Sequence, residues 1–269
     1  MEKNNLVKYA VIALFIGLLF YVGSLNKKVV NLEKNLQEVG TSVTNLTKGG
    51  TTAGNGQQAE PTVSLDNVKK AFDSAIIKFG DTNRKVIALE ISDPSCPYCH
   101  IAGGKNGKLN IQMAQFKLVA DGGTYVAPVV ELKKLLDQGK ISFALIYQNG
   151  HGNGELAMKA LYCAYDQGKF WEANDLLMSA DGYSLINEQV KNDKTKTDVL
   201  VNFLASALDK TALKTCLDSG KYDSRLSQDK SIAQGLGVSG TPGFFINTTK
   251  FAGAYGFDQM SPVVEAALK

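Results

Sequence analysis

The apolar positions of this chain follow three different rhythms. Tyr9 to Leu25 contains no charge and lies between Lys3 and Lys8 on one side and Lys27 and Lys28 on the other. Such a run predicts a membrane-spanning helix with Tyr9 and Tyr21 at interfacial heights. A cleaved signal peptide is the alternative, but Val22-Gly23-Ser24 makes a poor cleavage site, and a retained anchor is expected. Leu25, Val29, Leu32, Leu36, Val39, Val43 and Leu46 then alternate in steps of four and three. That spacing keeps one seam on a supercoiling helix, so residues 26–48 read as a short coiled-coil stalk able to form a homodimer, or as a solvated helical spacer. From Gly49 to Pro61 no apolar period remains, and residues 49–62 read as a flexible linker.

The third rhythm belongs to a head spanning 63–269. A helix is predicted over Val68 to Ile77, capped by Ser64 or Asp66, and a buried strand over Val86 to Ile91. A helical pattern from Glu131 to Leu136 ends near Gly139, and Ile141 to Tyr147 is the next strand. Phe244 to Asn247 pairs with Lys250 to Ala254 as a hairpin, and a last helix runs from Pro262 to Leu268 with Ser261 as its cap. Between Gly154 and Gly237 the spacing is helical throughout, which predicts a helical subdomain inserted into a small α/β core. Ala102 to Gly123 is interrupted by Gly103, Gly104, Gly107, Gly122 and Gly123, so a helix there must stop or kink soon after Ile101. Lys117 to Ala120 is expected to add a strand. This excursion is read either as a partner-binding surface or as an ordinary surface loop.

At 269 residues and 44% hydrophobic, the chain can bury a full core without metal or dense disulfides. Its net charge of +3 says little about partners. Arg84 and Arg225 are the only arginines and no basic cluster is interleaved with aromatics, so no nucleic-acid partner is expected.

The chemistry enters at Cys96-Pro97-Tyr98-Cys99, directly after the first strand. A two-residue spacer lets one cysteine attack a disulfide while the other waits to resolve it. Cys96 falls in the first helical turn, where free backbone N–H groups favour a thiolate, and Pro97 suits the first helical position. Cys99, one turn deeper, is expected to be buried with a higher pKa. Far downstream lies Val238-Ser239-Gly240-Thr241-Pro242-Gly243, ahead of another strand.

Strand, C-P-x-C, helical stretch and Thr-Pro before a strand resemble the thioredoxin superfamily, specifically the DsbA-type thiol oxidoreductases of bacterial envelopes. The resemblance spans roughly Leu65 to Lys269. It implies that Pro242 is cis and lies against the cysteines, with the backbone of Thr241 pairing with a bound substrate chain. It also implies that Glu90 is a buried acid relaying protons to and from Cys99. On the strand, Glu90 shares a face with Ala88 and Ser92, opposite Ile87, Leu89 and Ile91, and a partly exposed strand carboxylate is the plainer reading.

Cys163 and Cys216 have no neighbouring base and no short spacing, so they read as structural, either two buried thiols or a disulfide like the second pair of some envelope relatives. Closing that loop would restrict the unfolded chain by about 4 kcal/mol, and a bridge would place the head outside the cytoplasm. The lysines flanking the apolar run are nearly balanced, so this inference sets the orientation, with residues 1–8 as a cytoplasmic tail.

His100 makes a rival reading, because C-x-x-C-H is also a haem-attachment pattern. The preceding strand and the Thr241-Pro242 half-site argue against it. Zinc needs more ligands than Cys96, Cys99 and His100, and His151, the only other histidine, sits in the glycine-rich loop Asn149 to Gly154. No metal and no cofactor are expected. That loop lacks the lysine and hydroxyl of a phosphate loop.

The sequence therefore predicts a single-pass bacterial membrane protein with an extracytoplasmic thiol–disulfide oxidoreductase head. Reduced client proteins would be oxidised at Cys96–Cys99, and a membrane redox partner would reoxidise the pair. A disulfide isomerase or reductase is the alternative within the fold; a stalk dimer would favour isomerisation and a monomeric head oxidation. A redox-inert binding module on a stalk is the alternative of another class.

Overall fold

A computed structural model describes residues 63–269. The anchor at 9–25, the stalk at 26–48, the linker at 49–62 and the tail at 1–8 lie outside the described residues. None of the described helices is long and apolar enough to cross a membrane.

Five strands form one mixed sheet in the order β1-β3-β2-β4-β5: β1 Ile77–Phe79, β2 Val86–Ser92, β3 Ile141–Tyr147, β4 Gly243–Ile246 and β5 Thr249–Ala252. β2 and β3 are parallel, with Val86 opposite Ile141 and Glu90 opposite Leu145. The other pairs are antiparallel. β2 and β3 are buried along their whole length, as expected of strands covered on both faces.

Alternation along β2 builds two cores. Ile87, Leu89 and Ile91 join Ala144, Ile146 and Phe245 against α1 (Leu65–Ser74), which supplies Val68, Ala71 and Phe72. Val86 and Ala88 face the larger core, with Phe143, Leu145, Phe244, Met260 and the helical subdomain. Glu90 and Ser92 share that second face by the two-residue period. The less apolar face of β2 thus meets the larger core, and Glu90 is buried rather than a partly exposed carboxylate.

Between β2 and β3 run α2 (Pro97–Gly103), α3 (Gly107–Gln112) and α4 (Pro128–Asp137). α2 stops where the glycines predict, with Gly104 left-handed at φ 65°, and a Cβ there would lie 2.5 Å from that of Ala127. The excursion that follows differs from expectation. Lys117 to Ala120 forms no strand: a single bridge joins Leu118 to Tyr125, flanked by short 3-10 turns. Gly123 closes this bend so tightly that a Cβ would lie 2.0 Å from the Lys117 carbonyl oxygen. Leu109, Met113, Phe116 and Leu118 instead pack as a small cluster over Ile101, Tyr125 and Ala127.

The helical subdomain fills the chain between β3 and β4: α5 (Glu155–Asp166), α6 (Phe170–Leu177), α7 (Ala180–Ser184), a π-helical turn at Leu185–Val190, α8 (Thr197–Phe203), α9 (Lys210–Asp218) and α10 (Arg225–Gly235). Buried Asp229 of α10 ties it to the sheet, accepting from the Tyr147 amide at 3.1 Å and the Tyr162 hydroxyl while pairing with Arg225. Cys163 and Cys216 are joined by a disulfide between α5 and α9, with Cα atoms 6.0 Å apart.

Two helix boundaries depart from the sequence reading. α1 ends at Ser74 rather than Ile77, because Ile77 turns its side chain into the sheet core and starts β1. Ser64 is its cap, accepting from the Asn67 amide. α11 spans Phe257–Leu268 and begins five residues before the predicted start, so Pro262 is interior. The proline lacks an N–H for the Asp258 carbonyl, and the Ser261 hydroxyl donates to that oxygen instead at 3.2 Å.

The bridge closes 53 residues of sequence separation. Replacing Cys163 and Cys216 together by alanine is expected to lower stability by about 4 kcal/mol, the chain-entropy value for such a loop. A denaturant titration checks this, and an unchanged midpoint would show that the bridge adds nothing to stability.

Candidate active site

The site is assembled where β2 ends. Cys96 is the N-cap of α2, Pro97 holds the first helical position, and the Cys96 carbonyl accepts from the amides of Cys99 and His100. Both cysteines are free thiols; Cys96 is 4% exposed and Cys99 fully buried. Tyr98, between them, is exposed, with its ring edge-on to Phe116.

The loop before β4 reaches this point from across the sheet. The Thr241–Pro242 peptide is cis, and the Cys96 thiol donates to the Thr241 carbonyl at 3.4 Å. With Cys96 neutral, the buried Thr241 hydroxyl has no hydrogen-bond partner. A thiolate provides one. The Cys96 pKa is lowered to about 6, chiefly by the Cys99 thiol as donor, then by the Thr241 hydroxyl and the Cys99 and Tyr98 amides, against opposition from burial. The free amides named by the sequence argument contribute, but the second sulfur contributes more.

Burial pushes the Cys99 thiol well up, helped by Cys96 beside it, while the Ser92 hydroxyl pulls it down. Burial likewise raises the Glu90 pKa to about 7, again against the Ser92 hydroxyl. One hydroxyl therefore favours the charged form of both groups, Glu90 and Cys99. Sequence reasoning put Ser92 on the Glu90 face but gave it no role.

Other residues join the site from outside these motifs. Asp93, fully buried, accepts from the Ser95 amide and hydroxyl at 2.8 and 2.7 Å and from the Gly150 and His151 amides at 2.8 and 2.9 Å. It pins the glycine-rich loop beside the Thr241–Pro242 turn, where a Cβ on Gly150 would lie 1.8 Å from Thr241 Oγ1 and one on Gly154 would lie 1.9 Å from Asp93 Oδ1. The available signal was Asp93 two residues before Ser95, an Asx-turn spacing. Met178, which packs on both cysteines, carried no sequence signal because it comes from the helical subdomain. His151 contributes its backbone amide to this turn. His100 is fully buried, with Nδ1 2.9 Å from the Met178 carbonyl and Nε2 2.8 Å from the Pro94 carbonyl, so neither nitrogen is presented as an axial ligand.

A family model described as Thioredoxin matches residues 127–266, just over half of the chain, from the start of α4 through the cis-proline turn into α11. The chain belongs to the thioredoxin family. The fold is DsbA-like. Oxidised BdbD of Bacillus subtilis superposes with a TM-score of 0.51 at 17% identity, over 73% of this chain and 94% of that one. Wolbachia pipientis alpha-DsbA1 gives 0.52 at 20% identity, over 71% and 89%. Curated relatives include proteins named Na(+)/H(+) antiporter NhaA 3 of Salinispora tropica, 26% identical, and NhaA 1 of Salinispora arenicola, 30% identical. Each match covers 70% of this chain and 24% of the relative, so the chain spans about a quarter of the length of these relatives. A thioredoxin-family head carrying one activated and one buried thiol in C-x-x-C holds the two groups that thiol–disulfide exchange requires.

Cys96 is expected to ionise in the reduced protein with a midpoint near pH 6, read as the pH dependence of its alkylation rate, while Cys99 stays protonated. The folded pKa lies below the ordinary 9.0. The stability of the reduced form relative to the oxidised form therefore rises from about pH 6 to 9 and is lost as pH falls through 6. A pH-independent difference would contradict a folded-state thiolate.

Proposed function

We propose that the head oxidises client protein thiols with the Cys96–Cys99 disulfide. The observation that carries this reading is the division of labour between the sulfurs. A depressed Cys96 pKa stabilises the reduced enzyme, and an enzyme whose reduced form is stabilised is a strong oxidant.

In the cycle, a client thiolate attacks Cys96 Sγ, the Cys96–Cys99 bond breaks, and the bonding pair leaves on Cys99. Cys99 is a poor leaving thiolate in its buried setting, and Glu90, with a pKa near 7, supplies its proton by way of Ser92. A second client thiolate then attacks the client sulfur of the mixed disulfide, and Cys96 departs as a thiolate held by Thr241 and Cys99. The client loses two electrons and the enzyme gains them. Thr241, beside cis Pro242, presents the backbone along which a client strand would pair, with Pro97, Tyr98 and His100 framing the reacting sulfur. A membrane redox partner accepts the two electrons to restore the disulfide.

An oxidising compartment is supported by the Cys163–Cys216 bridge, which suits an extracytoplasmic head. The apolar run at 9–25 supports a single-pass anchor, and the heptad spacing at 26–48 supports dimerisation through the stalk. Isomerase or reductase activity is the alternative direction for the same pair.

With an unfolded, reduced client, oxidised Cys99→Ser protein activated at Cys96 as a mixed disulfide with glutathione is expected to accumulate a client adduct resistant to non-reducing electrophoresis, and Cys96→Ser is expected to form none. Client capture that survives replacement of both cysteines would make the head a binding module instead.

A further inference from the structure

We infer that Met178 decides which sulfur of the oxidised pair an incoming thiolate can strike, by filling the line of approach to Cys99. This role deepens the proposed exchange reaction and rests on that reading. Displacement at a disulfide sets the attacking, central and leaving sulfurs in a row, and the thiol of lower pKa leaves faster. The Cys96 pKa is lowered to about 6, while burial pushes the Cys99 thiol well up. Leaving-group chemistry alone therefore directs attack to Cys99, with the bonding pair departing on Cys96. The proposed cycle needs the opposite outcome: the client joined to Cys96 and the bonding pair on Cys99. Some feature of the site must overrule the electronic preference.

Geometry supplies it. Cys96, Cys99 and Gly103 stand at i, i+3 and i+7, on one face of α2. A thiolate attacking Cys99 has to come from the side away from Cys96, which is the Gly103 end of that face. Met178 lies there. It forms one buried cluster with the two cysteines, and a Cβ on Gly103 would lie 3.6 Å from its Cε and 3.7 Å from its Cβ. An unbranched thioether suits such a gap, because it bends to fill irregular space. Attack on Cys96 comes from the other direction, past the mouth of the helix, where Cys96 keeps a little exposure and Tyr98 is exposed.

The wedge is held from three sides. The Met178 amide donates to the Asn174 carbonyl at 2.8 Å, which closes the end of α6. Its own carbonyl lies 2.9 Å from Nδ1 of His100, on α2. Lys105, just beyond α2, pairs with Asp175 of α6 at 2.6 Å. The helical subdomain thus acts on the chemistry through one side chain, and Met178 is a specificity-determining residue for the exchange.

Reduced glutathione is the probe. The oxidised full chain is mixed with it and quenched with acid at the earliest times, and the free thiols are alkylated before peptide mapping. The unsubstituted protein is expected to carry glutathione on Cys96 and the alkyl group on Cys99; the reverse pattern overturns the inference. In Met178→Ala the share of glutathione on Cys99 is expected to rise at least about tenfold, because the leaving-group preference then acts unopposed. Met178→Leu conserves the volume and is expected to return the adduct to Cys96. A folded Met178→Ala protein that still reacts only at Cys96 sinks the proposal, and Met178→Val takes its place if the alanine variant does not fold. A packing role alone would lower stability without moving the adduct between sulfurs. No client is involved, so a map that shifts while clients stay unoxidised upholds the role of Met178 and overturns the oxidase reading instead.

Discussion

The proposed exchange chemistry depends on placing two sulfurs one helical turn apart in unequal surroundings. Cys96 sits at the helix mouth, where the Cys99 thiol, the Thr241 hydroxyl and two amides converge on it. Cys99 sits a turn deeper, where only the Ser92 hydroxyl and the Asp93 amide favour its charge, against burial and the neighbouring Cys96. Exchange chemistry needs that inequality, because a pair of equivalent thiols has no preferred point of attack and no protected resolving group.

The fold supplies the inequality through convergence of distant segments. β2 delivers the cysteines and aims Glu90 and Ser92 into the larger core beneath them. The turn before β4 brings Thr241 and Pro242 from the far end of the chain. The helical subdomain brings Met178 over both sulfurs and links to the active-site bend through His100. Asp93 holds the glycine-rich loop against that turn, and the loop can approach so closely only because Gly150 and Gly154 have no side chain. Polar groups in this layer are buried but almost all are partnered, which fixes their positions. The Thr241 hydroxyl is an exception, and it favours the thiolate of Cys96.

What could be read from the sequence follows from how local the cause is. β2 and β3 are evident because uninterrupted apolar runs of strand length have few other uses, and Pro97 marks the helix start because its missing N–H costs nothing there. β1 was absorbed into a helix because Ile76 and Ile77 continue the helical spacing of Val68 and Phe72, and only pairing with β3 draws Ile77 out. Pro262 suggested a helix start where the Ser261 hydroxyl in fact makes an interior position tolerable. The glycines after Ile101 foretold the break in the helix but not the compact cluster that follows it, which depends on Phe116 and Leu118 meeting Tyr125. Cys96 and Cys99 are visible as residue types at a spacing, and Glu90 and Pro242 through the family resemblance. Asp93 and Met178 were not, because their roles depend on contacts with residues far away in sequence.

The most direct test of the account is the reduction potential of the Cys96–Cys99 pair, equilibrated against glutathione buffers and read by thiol trapping. A thiolate stabilised at Cys96 predicts a strongly oxidising value of about −120 mV. A value of about −270 mV, that of a reductant, would contradict the oxidising role.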